Sequence, residues 1–257
     1  MMTQQRWIGF LTLLHVEVRS FARKWIRFLL PPALTVVLYF VIFGGLVGSQ
    51  IRMIDGFTYM QYITPGLIMM AIVMNAYTNT VGALFLCRFH RGIEELAAAP
   101  LSNMTILLGY VLAATLRGLT VGFIALLLAL FFAHLVLAHV MLMLVTAFLA
   151  AVLFSLLGFL NGLYAKNFDD ISIVPTFVLT PLTYFGGVFY SIHMLPHFWQ
   201  KLSYFNPIFY IINVLRYAVL GIADVSVFYG FSMLVILVVS LFLFNLHLLN
   251  KGVGIRT

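Results

Sequence analysis

VMLMLVTAFLAAVLFSLLGFLNGLY, residues Val140 to Tyr164, runs without a single Asp, Glu, Lys or Arg. A hydrocarbon core of about 30 Å asks for about 20 consecutive, mainly apolar helical residues, so this stretch reads as a membrane-spanning helix. Further stretches reach that length at Leu29 to Val47, Ile63 to Leu86, Thr105 to Phe132, Ile173 to Tyr190 and Phe228 to Leu249. Together they predict an all-α membrane protein with six transmembrane helices. Composition agrees, since 63% of residues are apolar and 8% charged, against about 25% charged in soluble chains. A soluble domain must face water with polar side chains, whereas a bilayer accepts apolar ones on the outside.

The formal charge of +7 does not point to nucleic acid, because its cations lie in short clusters beside apolar runs rather than along one polar face. Lys and Arg are retained on the cytoplasmic side of a membrane. Arg6, Arg19, Arg23, Lys24 and Arg27 precede the first span, Arg88, Arg91 and Lys166 fall in the second and fourth connections, and Lys251 and Arg256 lie in the tail. Six crossings put all of these on one side and leave Arg52, Lys201 and Arg216 opposite, so both termini are expected in the cytoplasm. Pro207 to Ile222 is apolar enough to be weighed as a seventh span. Asn213 and Arg216 interrupt it, Pro196 and Pro207 break its approach, and a seventh crossing would carry Lys251 and Arg256 outside. A re-entrant helical hairpin dipping into the outer leaflet, between spans five and six, is therefore expected.

Before the first span, Trp7, Phe10, Leu11, Leu14, Val18, Phe21 and Trp25 recur at helical spacing, with Arg6, Arg19, Arg23 and Lys24 mostly off that stripe. This predicts an N-terminal amphipathic interfacial helix over residues 1–28, lying on the inner leaflet with its cations at anionic headgroups. The same cations interrupt any signal-peptide core, so the N-terminus is expected to be retained. Pro31 and Pro32 are expected to open the first span, where a missing N–H costs least. No internal repeat or linker divides the chain, which reads as a single transmembrane domain over 1–257 with its six-span core at 29–249. Gly44 with Gly48, Gly118 with Gly122, and Gly158 with Gly162 have the spacing that lets helix backbones approach closely. Cys87 is the only cysteine and cannot form an intrachain disulfide.

No phosphate-binding loop, H-E-x-x-H pair or Gly-x-Ser-x-Gly elbow occurs, so nucleotide hydrolysis by this chain is not expected. His193 and His197 stand four apart, but without a nearby carboxylate or thiol they read as interfacial histidines flanking Pro196, and no metal site is expected. A secondary transporter or channel would place acids within its spans to carry ions. Here Glu17, Asp55, Glu94, Glu95, Asp169, Asp170 and Asp224 all fall at span ends or in loops. Arg117, near the middle of the third span, is a functional candidate by default and has no evident partner. It either lines a wet, anion-tolerant path or bonds backbone carbonyls or Asn161 to hold helices together. Asn75 and Asn79 share a face of the second span, and Thr176, Thr180, Thr183 and Tyr184 a face of the fifth. These polar stripes either line a translocation path or bind helices to one another. Pro175 and Pro181 loosen that fifth helix.

The connection from Arg88 to Asn103, RFHRGIEELAAAPLSN, contains a short helix former from Gly92 to Ala99 that Pro100 stops. A rigid charged helix beneath the membrane, with Arg88, Arg91, Glu94, Glu95 and Leu96, suits a partner's groove; the plain alternative is a solvated connection. IEEL followed by APLS in this loop, then LTPLTYFGGVFYSIHMLP, NPIFY and Arg216, resemble the type-2 ABC transporter permeases along essentially the whole chain. The resemblance implies a homodimeric export permease working with two copies of a separate ABC ATPase, ATP and Mg residing in that partner. The loop with Glu94 and Glu95 would be the coupling helix. Gly186, Gly187, Pro196, Asn206 and Pro207 would form the outer gate, and the first, second and fifth spans would line a path for an amphipathic substrate, of the drug, lipid or polysaccharide class, across the bacterial inner membrane. An ion-gradient-driven transporter or channel, and a scaffold protein, are the competing readings.

Overall fold

Long apolar runs separated by Gly, Pro and charge leave the backbone one way to satisfy its polar groups in lipid, and the chain is helical almost throughout. The computed structural model describes residues 2–48, 50, 53–90, 101–133, 135 and 137–254, with side chains from residue 8 onward. The helices are α1 (Met2–Arg23), α2 (Trp25–Tyr39, continuing with π-helical winding through Phe40–Val47), α3 (Tyr59–Phe89), α4 (Asn103–Ala133) and α5 (Val140–Tyr164). They are followed by α6 (Phe168–Val174), a π-helical turn at Pro175–Leu179, α7 (Thr180–Phe185), α8 (His197–Tyr204), α9 (Pro207–Leu220) and α10 (Val227–Asn250).

Among the described residues, five helices are long and apolar enough to cross a membrane: Trp25–Val47, α3, α4, α5 and α10. The stretch expected as the fifth span is helical from Phe168 to Phe185 but in three pieces, and it does not reach Tyr190. It starts early because Asn167 accepts from the Asp170 N–H while the Asp170 carboxylate reaches back to the Asn167 N–H. It stops at Gly186 and Gly187, the latter at φ +77°. The π turn begins at Pro175, whose carbonyl accepts from both the N–H and the hydroxyl of Thr180. Pro31 and Pro32 do not open the first span as expected. The break falls at Lys24, so the prolines lie inside α2 and leave the Arg27 and Phe28 carbonyls without helical donors.

The α3 helix is the axis of the bundle. Within its most apolar stretch 61% of residues are buried, against 11% for the first span and for α10, which pack along the outside of the bundle. The glycine pairs explain the difference. Gly118 and Gly122 of α4 seat on Ala76 and Ile72 of α3, and Gly158 and Gly162 of α5 seat on the Tyr77 carbonyl and Leu84. Gly44 meets Met60 at the start of α3.

One end of the bundle gathers cations and helix termini. Arg88 donates to the carbonyls of Gly162, Leu163 and Ala165 at the end of α5, and Asn103 donates to Asn250. The α1 helix joins this end through Gly9 on Leu101 and Leu13 on Gly109. Its apolar stripe is therefore split: Phe10, Leu14 and Phe21 are partly buried, whereas Leu11, Val18 and Trp25 are exposed.

At the opposite end the chain leaves α7, winds through α8 and α9, and comes back on itself. Ser191, before this excursion, hydrogen-bonds Asp224, after it, at 3.0 Å. With 14 residues, α9 is about 21 Å long.

Candidate functional site

A mostly apolar furrow, with a few polar and charged groups in its lining, runs along one face of α3. Residues recurring at three and four positions from Leu67 to His90 line two cavities, of about 610 and 290 Å³, that share Thr78. At about 1.5 Å per residue this stripe extends about 35 Å. The α1–α2 segment forms the opposing wall: Leu13, Glu17, Ser20, Lys24 and Phe28 in the larger cavity, Pro31, Thr35 and Tyr39 in the smaller.

Of the path residues expected from sequence, the furrow brings together Asn75, Asn79 and Arg117. Asn75 donates to the Ala71 carbonyl at 2.9 Å and Asn79 to the Asn75 carbonyl at 2.7 Å, so each amide nitrogen is held by its own helix. Gly82, one turn on, leaves open space where a side chain would stand. Arg117 enters from α4 and finds the partner that sequence reasoning missed. Its Nη2 donates to the Glu17 carboxylate at 2.6 Å and to the Glu17 main-chain carbonyl at 2.5 Å. The rings of Phe21 and Phe28 lie 5.8 and 5.7 Å from the guanidinium carbon. Both partners are largely buried, with side-chain exposures of 7% and 18%. Glu17 thus lies inside α1 and against a span, not at a span end or in a loop as expected. Asn161, the other candidate partner, instead donates to Tyr77 Oη at 2.7 Å. The pairing was hidden because it joins α1 to α4, 100 residues away.

The fifth-span stripe divides. Thr176 is exposed, and Thr180 and Thr183 return their hydroxyls to the Pro175 and Thr180 carbonyls. Tyr184 alone reaches across, meeting Tyr39 hydroxyl to hydroxyl at 3.1 Å, and Tyr39 lines the smaller cavity. Phe43 and Phe189 pack on the same pair, with the two Phe rings 4.6 Å apart.

Beyond this aromatic tier, two of the expected outer-gate residues, Gly187 and Asn206, enter a network of bonds around Arg216 and α9. Arg216 lies 3.2 Å from Asp224, with side-chain exposures of 1% and 6%, and also donates to the Gly187 carbonyl. Its guanidinium sits over the Tyr62 ring, 4.2 Å from the centroid. Asn206 donates to the Leu182 carbonyl at 2.6 Å while capping Ile208 at 3.0 Å, which ties α9 to α7. Pro207 starts α9, Gly186 abuts Ile208, and Pro196 precedes α8 at the exposed surface. Asn213 closes the network on the α9–α10 connection through Val225 and Asp224. Asp224 was missed as a site residue, although an acid eight positions after a buried Arg is a readable pairing signal.

Arg88, expected in the coupling segment, uses its guanidinium as a cap on α5. Arg91, Glu94, Glu95 and Leu96 lie outside the described residues. His193 and His197 fall on two separate turns, and no group of metal-ligating side chains occurs among the described residues.

Residues 9–220 match the family model described as ABC-2 type transporter. The chain is 48% identical over 251 residues to the inner membrane transport permease YadH of Escherichia coli strain K12, covering 98% of each chain. It is 25% identical over 206 residues to nodulation protein J of Sinorhizobium fredii, covering 80% of this chain and 79% of that one. A second nodulation protein J, from Rhizobium leguminosarum bv. viciae, is 25% identical over 221 residues, with 84% and 83% covered.

Proposed function

The chain belongs to the ABC-2 type transporter family, and from that premise we propose that it is the export permease of an ATP-driven pump whose hydrolysis takes place in a separate polypeptide. It is a multi-pass inner-membrane protein and the membrane subunit of an ABC transporter. In the proposed arrangement α6 to α7 makes the fifth of six crossings, α8 and α9 form a re-entrant hairpin in the outer leaflet, and both termini are cytoplasmic. The joined ends of the hairpin at Ser191 and Asp224, and the gathering of Arg88, Asn103 and Asn250 at one end, support this topology.

Two permeases would act with two ATPase subunits that supply ATP and Mg. The charged segment from 88 to 103 would dock in the ATPase, Glu94 and Glu95 making the polar contacts and nucleotide closure moving the two protomers. The furrow along α3 would be the inner half of an amphiphile's path, with Tyr39 and Tyr184 above it and Gly186, Gly187, Pro196, Asn206 and Pro207 at the outer gate. The observation that carries this reading is the furrow itself: a mostly apolar wall in which Asn75, Asn79 and the Arg117–Glu17 pair stand as fixed polar groups, suited to a molecule with both polar and apolar parts.

The test is copurification with the candidate ATPase, followed by Glu94→Ala with Glu95→Ala. Loss of permease-stimulated ATP hydrolysis and transport, with insertion intact, is expected. Unchanged coupling in the double variant, or uptake by the permease alone driven by an ion gradient, would overturn it.

A further inference from the structure

The larger cavity carries more positive than negative groups. Lys24 and Arg117 line it, and Glu17 is its only acid among the described residues. The Glu17–Arg117 pair cancels, which leaves the exposed Lys24 ammonium without a counter-charge among the described residues of the cavity, where the amphipathic helix meets the first span. Arg117 is 6% exposed, yet its Nε meets no partner. The Arg117 Nε is sealed from the cavity, so the exposed Lys24 ammonium is the group that meets an anionic headgroup, with the Arg117 charge behind it.

Polarity then falls along the furrow. Ser20, Lys24 and His90 mark one end, while Val36, Leu67 and Met70 line the smaller cavity beyond Thr78. The stretch from Thr78 to Leu67 adds about 16 Å of mostly apolar wall. A charged head and a hydrocarbon tail would each meet their own surroundings here.

We propose that the furrow is a binding site for an anionic amphiphile, with a phosphate-bearing head beside Lys24 and Arg117 and a tail along the α2–α3 wall. The site rests on the reading of this furrow as the inner half of the path. Such a molecule is either an inner-leaflet phospholipid that stays in place or the cargo itself.

Cys87 lines the same cavity and is the chain's single cysteine, so it reports occupancy without added mutations. The full-length permease in phosphatidylcholine nanodiscs is treated with a maleimide while lysophosphatidic acid, or lysophosphatidylcholine of the same chain length, is titrated in. Lysophosphatidic acid should slow Cys87 modification saturably and the zwitterionic lipid should not. Lys24→Gln should raise the half-saturating concentration about fivefold, the effect of one lysine beside an anionic headgroup, and Lys24→Arg should restore it. Equal protection by both lipids, or no response to Lys24→Gln in a variant with wild-type thermal stability, overturns the site.

Mass spectrometry of lipid bound to the permease–ATPase complex, before and after ATP turnover, separates the sources. Retention of a phosphate lipid marks a resident lipid, its depletion marks cargo, and its absence from both samples overturns the proposal. The labelling needs no ATPase, so failure there is separable from failure of the Glu94 and Glu95 coupling test.

Discussion

Replacing Glu17 by Leu would leave the Arg117 guanidinium facing the cavity with the Glu17 main-chain carbonyl as its remaining partner. At exposures of 7% and 18% the pair is mostly out of water, and breaking such a pair from one side costs about 3–5 kcal/mol. The retained carbonyl bond and the flanking Phe21 and Phe28 rings hold the loss to the low end, about 3 kcal/mol. At about 2–4 °C per kcal/mol for a chain of this size, the melting midpoint should fall by about 6–12 °C. Arg117→Leu strands a carboxylate instead and should cost a similar amount. The double variant strands neither, and should regain most of the loss. Thermal denaturation of the detergent-solubilised protein, followed by size-exclusion fluorescence across all four members of the cycle, measures the coupling. If the double variant falls by the sum of the single losses, the two side chains do not act as a pair and the packing of α1 on α4 has another cause.

Gly82→Leu places a side chain in open space in the furrow, so it should lower transport at least several-fold while stability holds or rises by about 0.5–1 kcal/mol from helix propensity; paired transport and melting measurements decide. Arg216→Lys gives up the planar fork that serves Asp224 and the Gly187 carbonyl and stacks on Tyr62, and a loss of about 3 kcal/mol in melting experiments is expected despite the conserved charge. Gly158→Ala would set its Cβ 2.5 Å from the Tyr77 carbonyl oxygen, at a cost of about 1–3 kcal/mol. Gly45→Ala, with nothing within 4 Å, should hold the melting midpoint or raise it slightly.

The helices were legible wherever one local signal sufficed. Val140 to Tyr164 needed only its length and its lack of charge, and its bounds coincide with α5. Asn75 and Asn79 were readable as a stripe because helical period alone puts them on one face. The Pro31–Pro32 pair misled, since Lys24 offered a weaker but earlier break and the Trp25 to Leu30 stretch, apolar but for Arg27, could carry helix ahead of the prolines. Glu17 could not be matched to Arg117, because the approach of α1 to α4 depends on Gly9 and Gly109 admitting Leu101 and Leu13. That is a tertiary fit with no sequence period. Thr176 and Thr183 shared a face by spacing, but their surroundings differ because the π turn at Pro175–Leu179 shifts the register between them.

The Ser191–Asp224 clasp joins the two flanks of an excursion of 33 positions. What lies between is anchored, because Ile211, Ile212 and Leu215 of α9 are fully buried and Asn206 and Arg216 hold the Leu182 and Gly187 carbonyls. A push on the exposed rim at Phe205 is therefore passed inward like load on a keystone, reaching α3 where Arg216 rests on Tyr62.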